Sequence, residues 1–413
     1  MINYQKSILS NGLTVITYQD ESTPLATVNM LYKVGSVNED PSKTGYAHLF
    51  EHLMFSGSKH APDFDGPLQL AGGENNAFTT NDYTNYYITL PTQNLDTALW
   101  LESDRMLAPK FTKRSLKTQI QVVLEEFNQR YLNQPYGDVN FLIRSLAFTI
   151  HPYRWPTIGA DKEHIAKATL EDIKTFFDQY YCPENAILSI GSNLSHQQML
   201  EKARYWFEDI PSRSCAKSPL PKEPVQESPR SQSVQRVVPS NAIYMAFPAP
   251  ARMHPDFGIS DLISDLLANG KSARLDLHLV EQKGIFSSID AYLTADFDTG
   301  LMLITGRTME GISTETAEAA IWLELEAMKE KLVSQYELDK VKNKSESAHA
   351  FNETSLSQIV GNLAYCEMLG DIDLVNTEDE LYGKITRKDI QRVSQTIFQK
   401  KHCNTLYYEA VQA

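Results

Sequence analysis

Short runs of β-branched and aromatic residues predict strands in the first half of the chain. Residues 13–18 and 26–34 are such runs, and the turn signal Asn11-Gly12 stands before the first of them. Other segments repeat apolar residues every three or four positions, which predicts helices with one buried face. Residues 72–90 predict a strand pair, and 186–192 predict a further strand after several helices. The first half thus follows the order strand, helices, strand pair, helices, strand.

The same order returns in the second half. Its predicted strands are residues 242–247, 288–293, 301–306 and 405–410. Its predicted helices are 256–267, 272–281, 314–333, 336–369 (with a break) and 387–400. We therefore predict an α+β protein with two similar α/β-sandwich domains, each a mostly antiparallel sheet packed with helices. A segment rich in proline, serine and charge separates the halves. The expected domains are residues 1–212 and 237–413, joined by a linker at 213–236.

Length and charge narrow the classes of function. A chain of 413 residues exceeds what one hydrophobic core usually supports, which favours two domains. Its formal net charge of −14 argues against nucleic acid and against anionic membrane surfaces as partners. No run of some twenty apolar residues is present, so we expect no membrane span.

The cysteines and the N-terminus bear on location. Four cysteines occur without C-x-x-C spacing: Cys182, Cys215, Cys366 and Cys403. We expect reduced thiols that do not bind zinc. Residues 1–6 show neither an apolar leader nor an arginine-rich run. Together these features predict a cytoplasmic protein.

The segment His48-Leu49-Phe50-Glu51-His52 holds the strongest candidate chemistry. On a helix, His48 and His52 are four residues apart and stand on one face. Two neutral imidazoles so placed are two corners of a tetrahedral zinc site. Glu51 reaches the same side, and a carboxylate that is not a ligand can take a proton from zinc-bound water. The alternative is two surface histidines beside a solvated glutamate.

Flanking residues predict the ends of this helix. Ser42 or Thr44 can cap its N-terminus, and Gly57 is placed to end it. The order H-x-x-E-H is the inverted form of the zincin motif.

A later helix, residues 113–131, could supply a third ligand. Its apolar stripe passes through Leu116, Ile120, Val123, Phe127 and Tyr131. Glu125 falls on the opposite, solvent-facing side, whereas Glu126 lies on the shoulder of the stripe with Gln119 two turns earlier. If this helix holds the metal, the helical phase favours Glu126 over Glu125. For either glutamate alone, a solvated residue at the rim of the helix is the alternative.

The predicted strand pair at residues 72–90 is polar and rich in Thr and Tyr. This composition is typical of a hairpin with one exposed strand. A long exposed edge can accept a peptide as an added strand. An ordinary solvated hairpin is the alternative.

Several segments together resemble the M16 metallopeptidases. They are His48-x-x-Glu51-His52, Val122-Val123-Leu124-Glu125-Glu126, Gly72-Gly73-x-x-Asn76-Ala77-Phe78-Thr79 and Tyr181-x-Pro183-x-Asn185-Ala186. The resemblance runs nearly end to end and is strongest over residues 10–210. A chain of this length resembles the two-domain M16B type, which has a LuxS/MPP-like metallohydrolase fold and works as a dimer closing around a chamber.

The resemblance implies a zinc endopeptidase that acts on short or unfolded peptides. It assigns His48, His52 and Glu126 as ligands of one Zn²⁺ per chain, and Glu51 as the general base. It also assigns Asn76, Ala77 and Phe78 as residues that bind the substrate. The family usually has a glutamate supporting the ligands at the position of Gln119, a departure that can weaken zinc binding.

Two other functional classes compete with the peptidase. Some M16-like chains are non-catalytic assembly or peptide-binding subunits. A zinc-stabilised structural protein would need a closed site with four protein ligands, and the sequence offers no fourth.

The resemblance also bears on the partner. The family usually carries an Arg and, seven residues later, a Tyr that hold the substrate carbonyl from across the chamber. Val280 and Ser287 occupy these positions here. Valine cannot donate a hydrogen bond, and the serine side chain is far shorter than tyrosine. The sequence therefore predicts a heterodimer with a similar chain that supplies the pair, with a homodimer as the alternative.

Overall fold

The computed structural model describes residues 1–213, 215 and 219–411, which form two compact units. The first unit takes Met1–Asn128, Trp155–Leu220 and Ala350–Thr377. The second takes Gln129–Arg154, Pro221–His349 and the described chain from Glu378 onward. Each half of the sequence thus contributes a segment to the unit built mainly by the other half. The predicted domain ranges, 1–212 and 237–413 with a linker at 213–236, stay a prediction.

Six strands and most of the helices before residue 210 build the first unit. Its strands are β1 (Tyr4–Ile8), β2 (Thr14–Gln19), β3 (Leu25–Tyr32), β4 (Glu74–Thr79), β5 (Thr84–Pro91) and β6 (Ala186–Ser192). Its helices are α1 (Tyr46–Leu53), α2 (Asp65–Leu70), α3 (Leu95–Leu107), α4 (Lys113–Phe127), α6 (Lys162–Ala166), α7 (Leu170–Tyr180), α8 (His196–Phe207) and α12 (Leu356–Leu369).

The second unit holds the remaining strands. They are β7 (Arg230–Arg236), β8 (Ala242–Ala249), β9 (Phe286–Leu293), β10 (Gly300–Thr308) and β11 (Asn404–Ala410). Its helices are α5 (Val139–Ala147), α9 (Phe257–Ala268), α10 (Thr314–Glu330) and α14 (Arg387–Ile397), with most of α11 (Gln335–Asn352) and α13 (Leu374–Lys384). A π-helical segment, Asp276–Gln282, precedes β9.

The two sheets share one topology. The first has the order β1-β2-β6-β3-β5-β4 and the second the order β7-β11-β8-β10-β9. In each, one pair is parallel (β2 with β6, β7 with β11) and the other pairs are antiparallel. Strand β1 is the one addition, at an edge of the first sheet. The predicted α+β fold with two similar, mostly antiparallel halves is confirmed.

Both sheets are covered on two faces. Helix α12 packs on the first sheet through a set of buried apolar residues: Ile16, Leu31, Ile187, Ile359 and Leu363. Because side chains alternate along a strand, Thr17 points to the opposite face, where it contacts His196 of α8. In the second sheet, α9, α10 and α14 pack on one face through Ile243, Met245, Leu262, Ile321 and Val393.

Several elements differ from the prediction. Strand β7 lies inside the segment that we assigned to the linker, because its alternating polar side chains hide the strand pattern while its backbone pairs with β11. Strand β1 and helices α6 and α13 were not predicted. The helix predicted at 336–369 is broken, as expected, between Asn352 and Leu356.

The expectation of four reduced cysteines is wrong for two of them. Cys182 and Cys215 form a disulfide across 33 residues of sequence. Neighbouring contacts bring the two segments together: Arg213 donates to the carbonyl of Tyr181 over 2.8 Å and lies over the ring of Phe177. Spacing alone could not reveal this pair, because the packing of the connector against α7 creates it.

Among the residues that the structure describes, no helix is both long and apolar enough to cross a membrane.

Candidate metal centre

Helix α1 carries the two histidines on a partly exposed face. Its other side is buried, and Leu49 and Phe50 are fully inaccessible to solvent. Phe50 packs on the rings of Tyr181, at 4.2 Å between centroids, and Phe176, at 5.6 Å. Because these rings fix the buried side of the helix, His48, Glu51 and His52 lie on its opposite, partly exposed side.

Three side chains meet at this partly exposed side of α1: His48, His52 and Glu126. The Nε2 atoms of His48 and His52 lie 3.7 and 3.4 Å from Oε2 of Glu126. One ligand atom from each of the three residues lies within 4.8 Å of the others. The imidazole rings are nearly perpendicular, with centroids 4.8 Å apart. The side chains of His48, His52 and Glu126 keep 13%, 26% and 18% of their surface, so all three are partly shielded from solvent.

The three residues fit a zinc ion. Ligand atoms around a tetrahedral zinc with bonds of 2.0–2.1 Å are separated by about 3.3 Å. Both histidine–glutamate distances are close to that value. Two imidazoles and one carboxylate are also a donor set found in catalytic zinc sites, which keep a fourth position open.

Helix α4 places Glu126 toward the histidines. The structure has Glu125, its neighbour, exposed on the outer side of α4. Gln119 is half-buried two turns before Glu126, on the same side of the helix. The buried stripe that fixes this rotation is Leu116, Ile120, Val123 and Phe127, as predicted. The predicted fifth member, Tyr131, is only half-buried, because α4 ends at Phe127 and the chain continues as a π-helical segment, Asn128–Leu132.

Glu51 lies between the histidines and the edge strand β4. The hydroxyl of Thr79, the last residue of β4, donates to Oε2 of Glu51 over 2.5 Å. This bond orients one oxygen of the carboxylate. Sequence reasoning missed Thr79, although it stands in the same Asn-Ala-Phe-Thr run as the predicted substrate residues.

The predicted substrate residues lie on an exposed edge. Strand β4 pairs with β5 on one side and is the last strand of its sheet. Asn76 and Phe78 are exposed, and Phe78 keeps 40% of its surface. Its ring lies 5.8 Å from that of Tyr83, which lies 5.8 Å from that of Tyr365 on α12.

The N-terminus of α1 is held in a way that the sequence did not predict. Ser42 bonds to Asp40, and Thr44 bonds to His164, so neither caps the helix. The carboxylate of Glu39 accepts the first backbone N–H groups instead. The helix also ends at Leu53, before the predicted stop at Gly57. A buried glutamate six residues before the N-cap residue, Gly45, has no local sequence signal as a cap.

The positions that lack the Arg and Tyr of the family lie in the second unit. Val280 is half-buried in the π-helical segment 276–282. Ser287 is exposed on β9, and its hydroxyl donates to the carbonyl of Arg307 over 3.2 Å. Neither offers a long polar side chain.

Comparisons with known proteins agree with this architecture. Residues 14–160 match the family model described as insulinase (peptidase family M16), and residues 167–345 match the one described as peptidase M16 inactive domain. The chain is 31% identical over 410 residues to a protein named zinc protease PqqE from Helicobacter pylori, covering 98% of this chain and 92% of that one. The chain therefore belongs to the M16 family of peptidases.

Solved structures show the same fold. A crystal structure of a protease from Helicobacter pylori has a TM-score of 0.94 at 30% identity, covering 99% of this chain and 100% of that chain. The periplasmic protease PqqL from Escherichia coli has a TM-score of 0.80 at 18% identity, covering 99% of this chain and 48% of that chain. The second likeness is one of fold alone.

Proposed function

We propose that this chain is a zinc-dependent endopeptidase that cleaves short or unfolded peptides, and that it is the zinc-bearing subunit of a closed dimer. One observation carries the proposal. His48, His52 and Glu126 converge at zinc-ligand distances beside a carboxylate, Glu51, that is tied to an exposed edge strand. The name of the Helicobacter pylori relative, zinc protease PqqE, supports the same activity.

His48, His52 and Glu126 would hold one zinc ion. When bound, zinc lowers the pKa of a bound water to about 7 and polarises the scissile carbonyl. Glu51 takes up the proton at its carboxylate and later gives it to the leaving amine. The hydroxyl of Thr79 donates to Oε2 of Glu51 and so orients the carboxylate that exchanges the proton.

Strand β4 would hold the substrate. Its outer edge has backbone N–H and C=O groups that can pair with an extended peptide. Asn76 and Ala77 supply this pairing, and Phe78 contacts a substrate side chain. Pairing through the backbone selects extended chains, which is why we propose short or unfolded peptides as substrates.

The experiment is metal analysis of the purified protein together with a peptide cleavage assay with and without a chelator. We expect one zinc per chain and cleavage that the chelator abolishes. Glu51→Gln should keep the zinc but lose hydrolysis by about 10²–10⁴-fold. Full hydrolysis by that variant would remove Glu51 from the mechanism, and a wild-type protein without zinc would refute the proposal.

A second candidate is a non-catalytic assembly or peptide-binding subunit. The match of residues 167–345 to the inactive-domain model favours it, as does Gln119 in place of the usual glutamate. The cleavage assay separates the candidates: this second function predicts peptide binding without turnover, whatever the metal content.

The partner that we propose is a similar chain bearing the Arg and Tyr pair. Val280 has no hydrogen-bond donor in its side chain, and the hydroxyl of Ser287 is on a far shorter side chain than tyrosine, so a homodimer would lack that support for the substrate oxygen. A heterodimer would combine the zinc and base of this chain with the pair of the other. We expect mass photometry to show a mixed dimer, and cleavage to rise when the partner is added. Full activity of this chain alone would contradict the heterodimer.

A cytoplasmic location stays a prediction. The disulfide between Cys182 and Cys215 points to an oxidising compartment instead, because such bonds are rare where thiols are kept reduced. Fractionation of the native cells, with detection of this chain, decides between the two compartments.

A further inference from the structure

Helix α1 starts without a side-chain cap of its own. Its N-cap residue is Gly45, in the left-handed region with φ at 86°. A Cβ atom at this position would lie 2.6 Å from the carbonyl oxygen of Ile158, so only glycine fits. The first backbone N–H groups of the helix must therefore find acceptors elsewhere.

A buried carboxylate supplies them. Oε2 of Glu39 accepts from the N–H of Gly45 over 2.8 Å, and Oε1 accepts from the N–H of Ala47 over 2.8 Å. The indole N–H of Trp155 donates to the same carboxylate over 3.1 Å. Glu39 keeps only 6% of its surface. Successive N–H groups around one anion form a backbone nest, and the helix dipole favours a negative charge there.

The surroundings of Glu39 act in opposite directions on its charge. The pKa of Glu39 is raised to about 8, because burial raises it by more than the N–H groups of Ala47 and Gly45 lower it. The partners of Glu39 are N–H donors whatever its protonation state, so two acceptor oxygens are needed at this position. An aliphatic side chain would leave buried donors unsatisfied.

The bonds lie next to the ligands. Ala47 directly precedes His48, and Glu51 and His52 follow within one turn. A helix of eight residues has barely two turns, so loosening the first turn displaces all three functional side chains. We propose that Glu39 is a positioning residue of the metal centre, which fixes the first turn of α1 and thereby the place of His48 and Glu51. This inference rests on the proposed zinc function.

The experiment compares Glu39→Gln, Glu39→Ala and a control, Ser195→Ala. Ser195 caps α8 in the same unit by accepting the N–H of Gln198, so its loss removes a cap from a different helix. Two quantities are measured on each folded variant: zinc affinity by chelator competition, and backbone hydrogen exchange of α1 in the metal-free protein. Circular dichroism and thermal unfolding report whether each variant folds.

We expect a graded loss. Glutamine keeps one acceptor oxygen and should weaken zinc binding about tenfold, whereas alanine should weaken it up to about 100-fold. Exchange in the first turn of α1 should accelerate in the same order. Ser195→Ala should lower the unfolding temperature and leave zinc affinity and α1 exchange unchanged.

The outcomes separate this inference from the proposed function. If the wild-type protein binds no zinc, the proposed function fails. The hydrogen exchange of α1 alone then tests whether Glu39 fixes the first turn of the helix. If the Glu39 variants bind zinc as tightly as the wild type, with α1 exchange unchanged, the inference is overturned. If Glu39→Ala does not fold, Glu39→Gln decides, and Trp155→Phe, which removes one donor to the carboxylate, should reproduce a weaker form of the same change.

Discussion

Helix α1 of the first unit and helix α9 of the second occupy equivalent places. Each follows a central strand, β3 or β8, and precedes an edge strand, β4 or β9, in sheets of the same order. Helix α1 has eight residues and turns His48, Glu51 and His52 to a partly open face. Helix α9 has twelve and is buried on most sides, with serines at positions such as Ser260 and Ser264.

The carboxylates near the two helices, one buried and one half-buried, differ as well. Glu39 accepts the N–H groups that start α1. Asp261 belongs to α9 itself and accepts a bond from the hydroxyl of Tyr382 over 2.9 Å. Glu39 holds the start of a short helix whose exposed face bears the proposed ligands. Asp261 instead accepts a hydrogen bond from Tyr382, and its helix is buried on most sides. A shared fold thus supplies two equivalent positions, and the side chains decide which of them can hold a metal.

The largest expected effect concerns Glu126, the proposed ligand that α4 brings next to α1. Among the described residues, α9 is part of no such group of possible metal ligands. Glu126→Ala should abolish tight zinc binding, with a loss well beyond the 10–100-fold typical of residues that only support ligands. Glu125→Ala, on the exposed side, should leave zinc affinity nearly unchanged. Chelator competition measures both. The reverse result would mean that the rotation of α4 differs by one residue.

The next effect concerns the disulfide behind α1. Cys182→Ser should lower the free energy of unfolding by about 2–4 kcal/mol, because the bond closes a loop of 33 residues. The second unit has a buried thiol instead, Cys403, whose pKa burial raises to about 12.

Reductant provides the control for this prediction. It should lower the unfolding temperature of the wild type and of Cys403→Ala, but not that of Cys182→Ser. Peptide mapping without reductant should find Cys182 linked to Cys215. Two alkylated thiols in that map would restore the expectation of reduced cysteines.

A smaller effect separates the two edge strands. Phe78→Ala on β4 should lower kcat/KM for peptides by about tenfold, the size of one lost aromatic contact, with zinc content unchanged. Tyr292 on β9 is similarly exposed, at 42%, and Tyr292→Ala should change kcat/KM little. Equal losses from both variants would show that β4 has no special part in substrate binding.

The smallest effect is the pH dependence of stability that Asp261 on α9 contributes. Burial raises the pKa of Asp261, as do Asp265 and Glu378, against the lowering effects of Tyr382 and Arg252. The folded state therefore holds this proton more tightly than the unfolded state. The resulting stability is present below the ordinary pKa and lost as the pH rises through the folded one. Asp261→Asn should equal the wild type near pH 4 and unfold at a slightly higher temperature at pH 8.

A carboxylate with the opposite shift is the control. Burial acts to raise the pKa of Glu337, but bonds from Arg274 and Ser334 outweigh it and lower the pKa to about 2. The stability that ionised Glu337 contributes to the fold is present above about pH 4.5 and is lost as the pH falls toward 2. Glu337→Gln should therefore be less stable than the wild type at pH 7. The same sign for both variants would contradict this account.

The sequence by itself determined the repeated plan and the ligand-bearing helix. Alternating and helical periodicities mark most of the strands and helices, because one face of each is buried. His48 and His52 at a spacing of four share a face in any helix. The phase of α4 separates Glu126 from Glu125 for the same local reason.

Only the tertiary structure decided what depends on distant segments. It brought Glu126 to within 3.7 Å of His48, Thr79 onto Glu51, and Glu39 under the N-terminus of α1. It also paired Cys182 with Cys215 and drew β7 out of the predicted linker through its pairing with β11. These contacts join residues that no helical or strand period relates, so their partners are fixed by how the chain packs and not by local spacing.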